Sequence, residues 1–232
     1  MIAGLSLADL IPLALLGGVL GLDVVSFPQA MLSRPVVAAT LAGLLMGDAT
    51  SGLLLGVTLE LFALETLPFG ASRYPEWASA SVVGGSLVAQ MGPATPGVFT
   101  VALLASLALA WVGGRSMVWL RKLNARLARE RLEALGHGSG RTVIGLQMLG
   151  LGADLLRGIL LTGLALLVLR PGVGALVNAW GRSDGSARAV AVGLAAMVGT
   201  AAAWKLFHGM KNGPYLFAGG LVVGLVTLAV RL

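Results

Sequence analysis

Between positions 77 and 114 the chain carries no charged side chain. A Gly-Pro-Ala-Thr-Pro-Gly run at residues 92–97 divides this stretch, so the pattern predicts two apolar helices joined by a turn. A soluble domain has about 25% charged residues, whereas this chain has 11% charged and 57% hydrophobic residues. Too little charge is available to cover a surface that faces water. We therefore predict an all-α integral membrane protein.

The N-terminal third has a different pattern, because its charge-free runs are too short for a span of about 20 residues. These runs cover residues 10–22, 35–47 and 49–59. They are either parts of full spans that carry functional charges, or half-helices and re-entrant hairpins that line an enclosed cavity. We predict a multi-span helical bundle with short broken or re-entrant helices in this third. No linker or repeat divides residues 1–232, which we treat as one membrane domain.

Residues 115–141 form the most polar stretch of the chain. Its basic side chains are Arg115, Arg121, Lys122, Arg126, Arg129, Arg131 and Arg141. Leucines recur within it at roughly helical spacing, which predicts an amphipathic helix on the membrane surface. The positive-inside rule places a short loop of this charge in the cytoplasm. We read this segment as a basic amphipathic cytoplasmic loop.

The C-terminal part of the chain predicts further apolar helices. Residues 142–169 are long enough to span a membrane, and we expect the Arg-Pro pair that follows to end that helix. A polar turn at 181–188 and a short basic loop at 205–211 then separate two more apolar segments. The first residues lack a basic region ahead of the first apolar run, so we expect no removable signal peptide.

Few residues could support catalysis or a cofactor. The chain has no cysteine, and its two histidines, His137 and His208, lie far apart without an acidic residue at metal-ligand spacing. No phosphate-binding, nucleophile-elbow or zinc-protease motif occurs. We expect no metal, no cofactor and no catalysis by this chain alone. The net charge of +6 comes largely from one loop and lacks an RNA-binding pattern, so we expect no nucleic acid partner.

Carboxylates in apolar segments are the main candidates for a binding site, because a charge in the bilayer core costs several kcal/mol, at least about 2.5. Glu60 lies in an otherwise apolar helix. It either pairs with a basic neighbour or accepts hydrogen bonds from a polar ligand such as a sugar. Asp23 and Gln29 flank Pro28, which should break the first helix and create the kind of site found in transporters.

Two other charged positions favour structural roles. Gly47 suits the C-terminus of one helix and Asp48 the N-cap of the next. Asp154 and Arg157 are three residues apart on one helix face, so they are expected to neutralise each other.

One block of sequence resembles a known family. Arg34-Pro35 is followed by an apolar stretch, Gly47-Asp48, the pattern Gly-x-x-x-Gly-x-x-Leu-Glu at residues 52–60, and Gly70-Ala71. This block resembles the IIC component of the mannose/fructose/sorbose phosphotransferase family, with a specific match over about residues 21–88. By this resemblance Glu60 is the first choice for a sugar-binding carboxylate, and Gly70 and Ala71 should lie near the site.

The resemblance implies a function that composition alone does not. It implies a subunit of the bacterial cytoplasmic (inner) membrane that binds a hexose together with a IID membrane subunit. The sugar is then phosphorylated by cytoplasmic IIB, which receives phosphate through IIA. A homo-oligomer of IIC–IID pairs, surrounded by membrane lipid, is expected. The basic loop is then either a docking surface for IIB or IID, or a membrane anchor.

Two positions and one short stretch depart from the pattern that the resemblance implies. Glu65 adds a charge, and Pro68 stands where a polar side chain is common in similar proteins. Residues 72–77, Ser-Arg-Tyr-Pro-Glu-Trp, are unlike the small, Pro-Asp-containing stretch usual in the family. These departures leave the particular sugar open. Two alternatives to a sugar-translocating subunit also stay open: a regulatory or structural relative without transport, and an unrelated small-solute transporter.

Overall fold

The computed structural model describes residues 6–24, 26–64, 73–91, 96–180, 184–208 and 210–231. Within these residues the secondary structure is helical, and no strand occurs. The helices are α1 Leu7–Asp23, α2 Pro35–Leu45, α3 Ala49–Ala63, α4 Trp77–Met91, α5 Pro96–Arg129, α6 Leu132–Gly136, α7 Gly140–Trp180, α8 Asp184–His208 and α9 Gly213–Arg231. The predicted short helices of the N-terminal third correspond to α1, α2 and α3.

Helix α4 forms the centre of the bundle. Each of its residues from Ala78 to Val88 is buried, and the helix packs against α1, α2, α3, α5 and α7. Small side chains make this possible: a Cβ atom at Gly85 would lie 2.8 Å from the Cα atom of Ala39 on α2. Because the two backbones approach so closely, α2 is held at a fixed position against the core.

A tight hairpin joins α2 to α3. Gly47 has a φ of +86°, a left-handed conformation that favours glycine. Asp48 is the N-cap of α3, and its Oδ1 accepts a hydrogen bond from the backbone N–H of Ser51 at 3.0 Å. The structure therefore shows Gly47 at the end of α2 and Asp48 at the start of α3, as predicted. The two helices then run back together, with a Cβ at Gly43 only 2.9 Å from the Cα of Gly52.

Helices α1 and α7 cross at glycines. A Cβ atom at Gly158 would lie 2.8 Å from the Cα atom of Gly18, so these backbones are in direct contact. This crossing fixes the end of α1, where Asp23 lies, against the middle of α7, where Asp154 and Arg157 form an ion pair with 2.9 Å between Nε and Oδ1. The predicted pairing of these two residues is confirmed.

Among the residues that the structure describes, two helices are long and apolar enough to cross a membrane, as judged by length and composition: Gly97–Arg129 and Gly140–Ala179. The first includes part of the basic stretch. The sequence predicts a separate helix there, whereas in the structure residues 115–129 continue α5 without a break. The remaining residues form two short turns, the helix α6 and the start of α7. The apolar face of this stretch packs within the bundle at Met117, which is buried, and packing of that face extends the helix.

The sequence-based boundaries in the C-terminal part need three corrections. Helix α7 continues through Pro171 to Trp180 instead of ending before the proline; a proline removes one backbone hydrogen bond, which membrane helices tolerate when neighbouring groups compensate. Helix α8 begins at Asp184, inside the predicted polar turn, and extends to His208, inside the predicted basic loop. Trp204 of α8 and Phe217 of α9 pack edge to face with ring centroids 5.2 Å apart.

Candidate functional site

Glu60 and Arg34 form the polar contact between α3 and the start of α2. The Nε atom of Arg34 donates to Oε1 of Glu60 at 2.6 Å, and its Nη2 contacts the same oxygen. The backbone N–H of Val36 donates to Oε2 of Glu60 at 3.2 Å. Glu60 therefore caps the first turn of α2 from a neighbouring helix, where a negative charge is favoured by the helix dipole.

Asp23 organises the chain between α1 and α2. Its carboxylate accepts hydrogen bonds from the N–H of Ala30 at 2.6 Å, the N–H of Ser33 at 2.9 Å and the hydroxyl of Ser33 at 2.9 Å. The residue is only 3% exposed. This region includes a cis peptide bond before Pro28 and a left-handed conformation at Gln29. Asp23 thus holds the loop that presents Gln29, whose own side chain is exposed.

A cavity of about 370 Å³ opens beside this loop. Its lining comprises Asp23, Val24, Gln29, Met31, Ser33, Arg34, Pro35, Tyr74, Pro75 and Trp77. The volume lies within the range of about 300–1,000 Å³ that small-molecule sites occupy. Amide, hydroxyl and guanidinium groups here lie next to aromatic rings. Such a combination suits a small polyhydroxylated ligand, which needs hydrogen bonds at its edges and an apolar surface for its ring face.

The structure brings together some of the predicted site residues and separates others. Asp23, Gln29, Arg34 and Pro35 line the cavity, whereas Glu60 does not line it and reaches it only through Arg34. Of the two alternatives for Glu60, the structure therefore shows pairing with a basic neighbour, Arg34. Gly47 and Asp48 lie at the opposite end of α2.

Part of the family-like block lies outside the described residues. That part contains Gly70 and Ala71, which we expect near the site, and also Glu65 and Pro68.

Sequence reasoning did not identify the segment of residues 73–76 as part of a site. Tyr74 is buried, and its hydroxyl oxygen accepts a hydrogen bond from Nη2 of Arg121 at 2.5 Å. Glu76 is 1% exposed, and its carboxylate accepts from the backbone N–H of Ser79 at 3.2 Å, which caps α4. The position of Glu76 directly before the apolar helix α4 is a signal that could have been used, because an acidic residue there is typical of an N-terminal cap.

A second polar cavity lies next to the first. It has a volume of about 510 Å³ and lies between α5 and α7, with Ser26, Arg121, Asn124, Gln147 and Asp154 among its lining residues. The Ser26 hydroxyl donates to Oδ2 of Asp154 at 3.4 Å, and Arg121 binds Tyr74, a lining residue of the first cavity. These contacts form the polar boundary between the two cavities.

The site is suited to binding. In the part of the chain that the structure describes, no group of three His, Cys, Asp or Glu side chains is placed to hold a metal ion. The carboxylates in and around the cavity are occupied by structural contacts: Asp23 by the loop, Glu60 by Arg34 and Asp154 by Arg157. Arg34 and Gln29 are the groups best placed to contact a ligand.

Comparison with known proteins supports a specific family. A family model described as the PTS system sorbose-specific IIC component matches residues 7–231. The sorbose-specific EIIC component of Klebsiella pneumoniae is 46% identical over 55 residues, which are 24% of this chain and 21% of that protein. The fructose permease IIC component of Bacillus subtilis is 49% identical over 55 residues, covering 24% and 20%. The matched stretch thus spans about a fifth of the length of each relative.

Solved structures show the same fold at low identity. One, titled as the structure of a membrane protein, has a TM-score of 0.74 at 19% identity and covers 98% of this chain and 93% of its own. Another, a cryo-EM structure of the mannose transporter ManYZ in complex with microcin E492, has a TM-score of 0.59 at 18% identity, covering 99% and 93%. The predicted fold class, an all-α integral membrane protein, is confirmed.

Proposed function

The chain belongs to the family of PTS sorbose-specific IIC components, and we therefore propose that it binds and translocates a hexose of the mannose, fructose and sorbose class. The family resemblance drawn from residues 34–71 is thereby confirmed. The names of the relatives support the substrate class, since they include sorbose-, fructose- and mannose-specific components. The cavity beside α2 is the observation that carries the proposal, because it is of small-molecule size and combines Arg34, Gln29 and Trp77.

In this proposal the sugar enters the cavity between the loop of residues 26–34 and the segment of residues 73–77. Hydroxyl groups of a hexose can accept from Arg34 and exchange hydrogen bonds with Gln29, both of which line the cavity. The aromatic rings of Tyr74 and Trp77 offer an apolar face against the ring. Glu60 acts by holding Arg34 and is a positioning residue.

The chain does not phosphorylate the sugar in this proposal. The transferred phosphoryl group comes from a separate IIB subunit charged through IIA, and a IID subunit completes the membrane part in the bacterial cytoplasmic membrane. The likeness of the fold to the mannose transporter ManYZ supports a multi-subunit, multi-pass arrangement. We assign the exit of the sugar toward the phosphorylating subunit to the second cavity, between α5 and α7, because it adjoins the first cavity across the contact between Arg121 and Tyr74.

The proposal is tested by sugar uptake. Cells that lack their own sugar phosphotransferase transporters are supplied with this chain and its IIA, IIB and IID partners. Accumulation of phosphorylated mannose, fructose and sorbose is then measured. Arg34→Gln and Gln29→Ala should weaken uptake of the transported sugar, whereas Asn212→Ala, an amide change in the turn before α9, should not.

Two results would contradict the proposal. A chain that co-purifies with IID but supports no uptake of any of the three sugars would be a regulatory or structural relative. Flux in proteoliposomes without phosphoenolpyruvate and without IID would instead indicate a transporter that works without phosphoryl transfer.

A further inference from the structure

A groove of about 400 Å³ lies on the other side of Tyr74 and Pro75 from the sugar cavity. Its other lining residues come from Arg73 and from one face of α5: Trp111, Gly114, Arg115, Val118, Trp119 and Lys122. The α5 residues recur at intervals of three and four, so they share one face of the helix. None of the proposed sugar contacts except Tyr74 lines this groove.

Arg73, Tyr74 and Pro75 form one wall of the groove, and three contacts fix this wall. The backbone N–H of Glu76 donates to the carbonyl of Ala110 at 2.8 Å. Gly114 lets the wall approach α5, since a Cβ there would lie 3.3 Å from the Cα of Pro75. Arg121 donates to the Tyr74 hydroxyl and lies 4.9 Å from the centre of its ring. Arg73 is thereby held beside the basic face of α5.

The groove is strongly basic. Arg73, Arg115 and Lys122 line it, and among its described lining residues none is acidic. The carboxylate of Glu76 is close in sequence, but it is buried beneath the wall and binds the N–H of Ser79. Like charges brought together at one site repel one another, and an anion in the groove removes that cost. The complementary ligand is therefore an anion.

The tryptophans indicate where the groove lies relative to the bilayer. Trp111 and Trp119 are 59% and 71% exposed, and the guanidinium of Arg115 lies 4.2 Å from the centre of the Trp111 ring. Exposed tryptophans beside arginine and lysine are typical of the headgroup level of a membrane. The exposed apolar residue Leu104 precedes both tryptophans on α5, Val112 lies between them, and exposed basic residues follow. The groove is at the boundary between an apolar and a basic surface.

We propose that this groove binds the phosphate group of an anionic phospholipid. Arg73, Arg115 and Lys122 contact the phosphate, and the acyl chains lie along the exposed apolar face of α5 near Leu104 and Val112. A free phosphate ion would offer the same charge. The lipid is favoured because an apolar surface continues directly from the basic groove.

The experiment measures which lipids remain bound. The protein is reconstituted in bilayers with equal amounts of phosphatidylglycerol and phosphatidylcholine, extracted in mild detergent and weighed intact by mass spectrometry. The unaltered protein should retain phosphatidylglycerol in preference to phosphatidylcholine. The triple variant Arg73→Gln/Arg115→Gln/Lys122→Gln should lose that preference by about tenfold or more, since each basic group near the headgroups contributes.

Matched variants separate the groove from total charge. Arg126→Gln/Arg129→Gln/Arg131→Gln removes three charges of the same sign outside the groove and should weaken the preference much less than the first triple, because these side chains do not line the groove. If the first triple fails to fold, Arg73→Lys/Arg115→Lys and the single change Lys122→Gln serve instead. The lysine variant should keep the preference and Lys122→Gln should weaken it.

Three outcomes would overturn the proposal. Equal losses in the two triple variants would mean that the preference follows net charge. Release of the lipid by excess inorganic phosphate would assign the groove to a soluble phosphate compound. A groove variant that retains phosphatidylglycerol but no longer co-purifies with IID would assign it to a protein contact.

Discussion

Arg34 and Glu60 are joined across the α2–α3 hairpin, with the Nε of Arg34 2.6 Å from Oε1 of Glu60. The arginine lines the sugar-sized cavity and the glutamate does not. Glu60 also accepts from the N–H of Val36 at 3.2 Å, so a single carboxylate holds both the start of α2 and the side chain that faces the cavity. We infer that Glu60 controls sugar binding through the position of Arg34.

Glu60→Gln should raise the sugar concentration needed for half-maximal uptake by about tenfold, because a charge-assisted hydrogen bond contributes about 1.5–3 kcal/mol. The amide oxygen can still accept from Val36, so the protein should remain folded. Arg34→Gln should have a similar effect, and the double variant should be little worse than either single one. Additive effects of the two changes on uptake would mean that Glu60 contacts the sugar independently of Arg34.

Asp23 and Gln29 line the same cavity but should respond differently to substitution. Asp23→Asn replaces one of two acceptor oxygens by a donor. Because one oxygen accepts from Ala30 and the other from Ser33, the asparagine can keep the bond to Ala30 or those to Ser33, but not both. The expected cost is about 1–3 kcal/mol, seen as a lower thermal unfolding temperature. Gln29→Ala changes an exposed side chain and should stay within about 0.5 kcal/mol while weakening uptake. An Asp23→Asn protein of unchanged stability and weaker uptake would make Asp23 a direct ligand.

The Asp154–Arg157 pair should be far more sensitive than the Arg126–Glu130 pair. The side chains of Asp154 and Arg157 are 8% and 9% exposed, whereas those of Arg126 and Glu130 are 75% and 55% exposed. Asp154→Asn leaves a buried arginine without its counter-charge and should cost about 3–5 kcal/mol. Glu130→Gln, the matched control, should cost less than about 1 kcal/mol. Thermal unfolding in detergent measures both, and equal shifts would contradict the burial of the first pair.

The features of the fold that could be predicted from sequence are those set by local chemistry. Gly47 and Asp48 define the α2–α3 turn because a left-handed glycine and a capping carboxylate need only neighbouring residues. Pro28 likewise marks the end of α1. Arg34 and Gln29 meet at one cavity because both belong to the short connection between α1 and α2.

Features that depend on distant packing could not be predicted. Tyr74 and Glu76 are buried because Gly113 and Gly114 of α5 let residues 73–76 approach that helix, and no local pattern in the segment predicts this contact. The partner of Glu60 could not be chosen from sequence either, since the contact with Arg34 exists only because the hairpin folds back. The predicted end of α7 at Pro171 is wrong for a related reason. The helix continues through the proline because tertiary packing outweighs the tendency of proline to end a helix.

The crossing of α1 and α7 provides the last prediction, because α7 contains both a tight and an open glycine. A Cβ at Gly158 would lie 2.8 Å from the Cα and 3.4 Å from the N of Gly18, and backbone cannot move aside as a flexible side chain can. Gly158→Ala should therefore destabilise the protein by about 1–3 kcal/mol. A Cβ atom at Gly145 would have nothing within 4 Å of it, so Gly145→Ala should be neutral or stabilise by up to about 1 kcal/mol.

Thermal unfolding distinguishes the two variants, Gly158→Ala and Gly145→Ala. If both variants unfold at the same temperature, α1 does not pack against Gly158. If only Gly158→Ala unfolds earlier and also transports less, the crossing positions the Asp23 loop for sugar binding.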